Sequence, residues 1–205
     1  MNFADVRRDP KLLVVSFSGL LVGLSAAGLI TASLGFYLRE QFSEDVAVGG
    51  VVIGVTGLTG LMLGSWHFLG LAAAPLSGHI SDRVGRVRGI RGALLLAALG
   101  VGMLGIATSI WLVIVGLAAA LLGATAATVQ LTTAAGDMAP LERRPVVLST
   151  FATFLDLGAA IGPILGLVFA SLATLRGLFL IAAVLLVIMS FVIRMTLGAN
   201  TRVMG

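Results

Sequence analysis

A single carboxylate stands deep inside an apolar stretch. Asp156 lies 11 residues past Pro145, in a segment (145–172) with no other charged residue. On a helix that is about 16 Å from the segment's start. A charge at such depth costs about 2.5–3.5 kcal/mol on insertion scales, so it is kept for a purpose or paired. Asp156 is therefore a candidate proton or charge site, able to bind a proton or an arginine, with a purely structural carboxylate as the alternative. His67, beside Trp66 near the middle of a charge-free run, could relay protons, because imidazole titrates near neutral pH. A hydrogen bond to a neighbouring helix is the commoner use of such a residue. Hydroxyls and one amide add to the inventory. Thr125, Thr128 and Thr132 fall on one helical face at i, i+3 and i+7, with Gln130 and Thr133 nearby, and Ser18 and Ser25 are seven apart. They can line a polar path or bond helix to helix. Cysteine is absent, and His67 and His79 lack the spacing of a metal pair, so no metal site is expected. Enzyme patterns are missing too. There is no Gly-x-Ser-x-Gly, no His-Glu-x-x-His and no paired intramembrane Asp. Gly-x-Gly occurs only inside apolar runs, without the strand–helix context of a cofactor loop. No cofactor and no enzymatic activity are expected.

The elements that must carry these residues are membrane helices. Of 205 residues, 59% are hydrophobic and 11% charged, against roughly 25% charged in soluble domains. Positions 12–38, 46–81 and 92–136 contain no Asp, Glu, Lys or Arg. Runs of about 18 or more such residues read as bilayer spans. Backbone polar groups in lipid must pair internally, and these runs do not alternate as barrel strands would, so helices are expected. The sequence predicts spans over 12–38, 47–80, 90–108, 111–135, 145–172 and 177–193. Thr108, Ser109 and Trp111 divide the third run. Residues 1–11 and 195–205 flank a transmembrane domain over 12–194. Span six is nearly all Leu, Ile, Val, Phe and Ala and is expected to face lipid. The first apolar run is longer than the ~7–15 residues of a signal peptide's core, and reads as an uncleaved span.

Charge sets the orientation. Eleven Lys and Arg residues fall on the side holding both termini and the 81–91 and 137–144 loops, and two, Arg39 and Arg176, fall opposite. The positive-inside rule then places both termini in the cytoplasm, which requires an even number of spans. The net charge of +4 is explained by these loops and does not call for nucleic acid. Glycine numbers 27 and recurs at four-residue spacing: Gly19/Gly23, Gly50/Gly54, Gly60/Gly64 and Gly158/Gly162/Gly166. In lipid such spacing marks close helix contacts. A glycine-rich face on spans two and five is expected to dock a second half.

Between spans two and three runs Gly78-His79-Ile80-Ser81-Asp82-Arg83-Val84-Gly85-Arg86. Gly78 is expected to end a helix, Asp82 to lie at a helix terminus, and Gly85 to permit a tight turn. Arg83 and Arg86 can reach a carboxylate or a helix end. This G-x-x-x-D-R-x-G-R pattern resembles the cytoplasmic loop of the major facilitator superfamily, and it falls after the second span of a half, where that family has it. Gly158-x-x-x-Gly162-Pro163-x-x-Gly166 is similar to the G-x-x-x-G-P-x-x-G element in the fifth span of family antiporters, and Pro163 should kink that helix.

The resemblance implies an all-α half bundle of six transmembrane helices in two inverted three-helix repeats. It implies that Gly78, Asp82, Arg83, Gly85 and Arg86 form a conformational latch. It also implies that Ser18, Ser25, Thr125, Thr128, Gln130 and Thr132 face a substrate cavity, because the first and fourth spans of each half line it. In a first half, the fourth span normally carries an Arg four residues before a glycine. Ala119 stands there before Gly123, which favours a second, C-terminal half. The implied function is transport of a small solute by alternating access, proton-coupled efflux or uptake included. The implied location is the bacterial inner membrane. The partners would be the bilayer, a small-molecule substrate, and either a second copy or a complementary N-terminal half. The rival expectation is a non-transporting structural or regulatory subunit, or a truncated piece of a full-length transporter.

Overall fold

The computed structural model describes residues 9–42, 44–48, 51–172 and 175–198. Its described residues are almost entirely helical. Helix α1 runs Pro10–Phe42, α2 Val55–Val84, α3 Arg86–Ile106, α4 Ile110–Met138, α5 Arg144–Leu172 and α6 Leu175–Gly198. Five helices are long and apolar enough to cross a membrane, by length and composition, among the described residues. Helix α2 has 30 residues, and some of its side chains, Trp66, His67 and Asp82 included, lie outside the described residues.

Helix ends follow local chemistry. Asp9 caps α1 by accepting from the Lys11 amide at 2.9 Å, and Pro10 follows at the first helical position, where no amide is needed. Ser109 caps α4 by accepting from the Leu112 amide. The break read at Thr108, Ser109 and Trp111 thus falls at a true helix start. Gly78 does not end its helix: α2 continues through it to Val84. The turn falls at Gly85, whose φ of 94° suits glycine and strains other residues. Its amide donates to the Ser81 carbonyl at 3.0 Å.

Two strands replace the expected start of span two. Strands β1 (Asp45–Val48) and β2 (Val51–Gly54) pair antiparallel, with Asp45 opposite Gly54 and Val48 opposite Val51. The segment is rich in β-branched valine, and Gly49-Gly50 separates the strands in sequence, a pair suited to a hairpin turn. The absence of charge made it indistinguishable from the helix that follows. The Val55 amide donates back to the Glu44 carbonyl, which sets the start of α2.

The bundle closes through small residues. Gly100 on α3 approaches Gly116 and Ala120 on α4, and Gly123 approaches Ala93 and Ala97, so a side chain at either glycine would strike backbone. Helix α6 packs on α3, with Leu180 against Gly105 and Ala183 beside Gly102, and buries Leu178, Phe179, Ala182 and Leu186. Its other side, including Ile181, Val184, Ile188 and Phe191, is exposed. Helix α6, expected to face lipid, thus leaves one side exposed and buries the other in the bundle.

The middle of α1 is wound more widely. Gly23–Ile30 is π-helical, between α-helical Pro10–Val22 and Thr31–Phe42. Such turns are rare and often mark functional sites. Hydroxyls within α1 take up carbonyls around it. Ser25 donates to Leu21 and Val22, Thr31 to Ala27 and Gly28, and Ser33 to Leu29. The widened segment lies against the glycines of α5. A methyl added at Gly28 would stand 2.8 Å from the Gly162 Cα and 2.9 Å from the Ala159 carbonyl oxygen. Pro163 supplies no amide to that carbonyl, yet α5 continues as one helix through it.

Candidate functional site

A cleft of about 290 Å³ opens between α1, α4 and α5. The π-helical part of α1 contributes Gly23, Ala26 and Ala27, preceded by Val22. Helix α4 contributes Ala124, Thr125, Thr128 and Val129, and α5 contributes Leu155, Asp156 and Ala159. Asp156 makes no hydrogen bond or ion pair with any described residue. The structure thus brings one free carboxylate and two threonines to a wall otherwise of Ala, Val, Leu and Gly. Small side chains on α1 and α4 leave this space open.

Other expected cavity residues go elsewhere. Ser18 is buried and donates to Val14 of its own helix at 2.8 Å, and buried Ser25 donates to Leu21 at 2.8 Å. Neither lines the cleft. Thr132 donates to Thr128 one turn back at 2.7 Å and is not in the lining. Gln130, 4% exposed, points away from the cleft and donates to the Ser77 carbonyl of α2 at 3.5 Å. The helical period explains this, because a residue two positions beyond Thr128 is about 200° round the helix. Gln130 also lies over α3: a methyl at Gly89 would stand 2.6 Å from its Oε1. It is a tie between α2, α3 and α4.

The loop motif forms one ion pair among the described residues. Arg86 Nη2 lies 2.8 Å from Asp137 Oδ2, joining the start of α3 to the end of α4. Its side chains are 36% and 52% exposed, so water screens the pair. Arg86→Ala should therefore lower stability by less than about 1 kcal/mol in a denaturant titration of the detergent-solubilised chain. Arg83 is exposed.

The glycines of α5 are occupied from within. Gly158 abuts the Leu20 carbonyl, Gly162 abuts Gly28, and Gly166 meets Leu29 and Ser33. They are not a free docking face. The outward side of α5 is instead Leu157, Ile161, Ile164 and Leu167. On α2, a methyl at Gly60 or Gly64 would meet nothing within 4 Å. Gly50 lies outside the described residues, and Gly54 closes the hairpin.

At the end of the bundle away from Arg86, a polar clasp joins three helices. Tyr37 of α1 donates to the Leu104 carbonyl of α3 and packs edge-on against Phe179 of α6, with ring centroids 5.3 Å apart. Arg176 of α6 donates from Nε to Gln41 Oε1 and from Nη2 to the Ala107 carbonyl, each at 3.0 Å. Gln41 donates to that same carbonyl. Together they satisfy carbonyls at the end of α3, where a cation also opposes the helix dipole. Sequence reasoning treated Arg176 only as a topology charge. The partners are 66 and 135 positions from each other in sequence for the two Gln41 bonds, so no local pattern reveals them. Arg176→Leu should cost about 2 kcal/mol, read in the same unfolding titration.

The family model of the major facilitator superfamily matches residues 15–203. The chain belongs to this superfamily. Its members are membrane transporters, not enzymes, and the chain is accordingly a multi-pass membrane protein. The chain is 31% identical over 182 residues to the MFS-type transporter pydD of an Acremonium species, covering 88% of this chain and 30% of that protein. It is 31% identical over 178 residues to the multidrug resistance protein MdtG of Proteus mirabilis (strain HI4320), covering 86% of this chain and 42% of that one. A crystal structure of the peptide transporter POT in complex with sulfate shares the fold, with a TM-score of 0.73 and 22% identity over 90% of this chain and 38% of the other. The chain thus spans well under half the length of these superfamily relatives.

Proposed function

We propose that this chain is one six-span half of a secondary transporter, moving a small solute by alternating access through the cleft between α1, α4 and α5. The observation that carries this reading is the cleft itself, where an unpaired Asp156 faces two threonines at the middle of apolar helices. Family membership weighs against the reading as a non-transporting subunit.

A half bundle encloses the cleft on one side only. The reading therefore includes a second half, either another copy or a complementary N-terminal half, laid against α2 and the outward side of α5. The open flank at Gly60 and Gly64, beside exposed Leu61, Phe68 and Leu76, supports α2 in that role. Ala119, in place of an arginine on α4, supports assignment as a C-terminal half. The six helices are read as two inverted repeats, α1–α3 and α4–α6.

In this account the Arg86–Asp137 pair and the Gly85 turn belong to a cytoplasmic latch that also includes Gly78, Asp82 and Arg83. Asp156 is the charge whose occupancy couples to conformation. His67, whose side chain is outside the described residues, remains a second candidate for that coupling. Both termini lie in the cytoplasm of a bacterial inner membrane, as the distribution of eleven basic residues against two supports.

The chain has no cysteine, so single-cysteine variants test this directly. In sealed cells, an impermeant maleimide should label Arg39→Cys and leave Arg83→Cys untouched until the membrane is opened. Labelling of Arg83→Cys in intact cells would overturn the orientation. In vesicles containing the chain with its second half, solute uptake should saturate and should fall to background in Ala26→Trp, which fills the cleft. Unchanged uptake in that variant would remove the cleft from the transport path.

A further inference from the structure

We propose that the seam between α3 and α6 binds an anionic phospholipid, with its phosphate held between Arg91 and Arg194 and its acyl chains lying along the seam. The inference needs α3 and α6 to span the bilayer. It is independent of the solute cleft and of which side is cytoplasmic.

The register of the two helices brings the arginines together. A methyl added at Gly105 would stand 2.7 Å from Leu180 Cγ, and one at Gly102 would stand 3.6 Å from Ala183 Cβ. Three residues back on α3 thus answer to three residues forward on α6, so the helices are antiparallel. From Gly102 to Arg91 is 11 residues, and from Ala183 to Arg194 is 11 residues. That is about three turns on each helix, and it returns each position to nearly the same face. The register therefore sets Arg91, on the side of α3 turned to α6, opposite Arg194, on the side of α6 turned to α3. Two like charges at one level repel unless an anion lies between them. The described carboxylates at this end of the bundle do not supply one. Asp137 pairs with Arg86, and Asp9 caps α1. Glu142 lies between α4 and α5, and α4 packs on the opposite face of α3, where Gly89 meets Gln130. Arg91 Nε is buried without a hydrogen-bond partner, and Arg194 makes no bond or ion pair with a described residue. Exposed Arg88, one turn before Arg91, adds a third positive charge.

What borders the arginines decides the kind of anion. Guanidinium groups are weakly hydrated and match phosphate with paired N–H donors. On the bilayer side of the pair, exposed Leu95 and Leu99 of α3 flank the seam on one edge, and exposed Val184 and Phe191 of α6 flank it on the other. Gly102 and Ala183 leave its floor without a large side chain. A free phosphate would use the arginines and none of this apolar border. A phospholipid uses both, because its acyl chains continue from the phosphate into the hydrocarbon. Arginines near a helix end reach headgroup level along their apolar stems. Basic pockets between membrane helices bind anionic headgroups in this way. A zwitterionic lipid would set its own ammonium beside three arginines, so the site selects a headgroup of net negative charge.

The test uses the full chain in a neutral detergent, titrated with phosphatidylglycerol or phosphatidylcholine, with retained lipid counted by native mass spectrometry. Phosphatidylglycerol should bind at least about fivefold more tightly than phosphatidylcholine, and inorganic phosphate should not displace it. Arg91→Gln and Arg194→Gln should each weaken its binding about fivefold, the scale of one basic residue's attraction to an anionic membrane surface, whereas Arg143→Gln, just before α5, should change it by less than about twofold. Position is read separately, on a chain that keeps both arginines and has no cysteine of its own. A fluorophore on Leu99→Cys should be quenched more by brominated phosphatidylglycerol than by brominated phosphatidylcholine, and one on Ile161→Cys equally by the two. Displacement by inorganic phosphate would overturn the lipid as occupant. Equal weakening by Arg143→Gln and Arg91→Gln would mean diffuse charge attraction and no site. Quenching at Leu99→Cys that does not distinguish the two lipids would contradict the seam. Should either glutamine variant lose its fold in a thermal melt, the two fluorophore positions decide alone.

Discussion

Gly158→Val should unfold or loosen the bundle, at a cost of about 3 kcal/mol or more. Overpacking a tight interior contact costs about 1–3 kcal/mol when side chains can shift, and more when they cannot. Here they cannot, because the first atoms that a Cβ at Gly158 meets are backbone, the Leu20 carbonyl and the Leu24 amide of α1. Gly23→Val meets the Leu155 carbonyl from the other side and should behave alike. The two are not additive, since both push the same helix pair apart. The contrast lies on α2. Gly60→Val and Gly64→Val touch nothing within 4 Å in the isolated chain. They should leave its stability within about 0.5 kcal/mol while weakening association with a second half. Unfolding titrations in detergent, run beside a crosslinking assay, read both effects. Equal destabilisation by Gly60→Val and Gly158→Val would contradict this packing.

The second large effect concerns function without fold. Asp156→Asn should reduce solute transport to background while leaving the midpoint of thermal unfolding unchanged. The carboxylate has no described partner and is exposed on the open side of the cleft. Replacing it by a neutral amide of the same shape breaks no described contact, and exposed substitutions of this kind change stability by about 0.5 kcal/mol or less. The same change removes the charge whose occupancy couples to conformation in the proposed cycle. Loss of transport without loss of stability is what a charge kept for function predicts. A fall in both together would mean that Asp156 is a structural partner.

Much of the architecture was legible because the membrane makes charge placement informative. Arg39, Asp82, Arg91 and Asp137 bound the apolar runs, and a polar break at Thr108–Ser109 split a run too long for one crossing. Asp156 could be singled out for the same reason, since a charge in lipid needs an explanation. The side on which each polar residue lies was harder. Thr125 and Thr128 reach the cleft, while Gln130 on the same helix ties α2 to α3, and the serines of α1 serve its own carbonyls. In apolar helices the polar stripe is too sparse to reveal which face is inward, and hydropathy no longer distinguishes core from exterior. The hairpin at Asp45–Gly54 was hidden for a related reason, because valine and glycine suit a strand, a hairpin turn or a span start alike. The pairing of Gly23 and Gly28 with Gly158 and Gly162 needed three-dimensional information, as did the clasp of Tyr37, Gln41 and Arg176. Small-residue spacing shows that a helix makes close contacts and does not name the partner.

Water access to the cleft tests the account most directly. Thr128→Cys and Ile188→Cys would be reacted, in the reconstituted chain, with a charged maleimide that requires an ionised thiol. Thr128 lines the cleft, and Ile188 lies on the exposed apolar side of α6. The account predicts rapid labelling at position 128, slowed by bound solute, and no labelling at position 188. Equal resistance at both positions would mean that lipid or protein fills the space beside Asp156, and that no solute passes there.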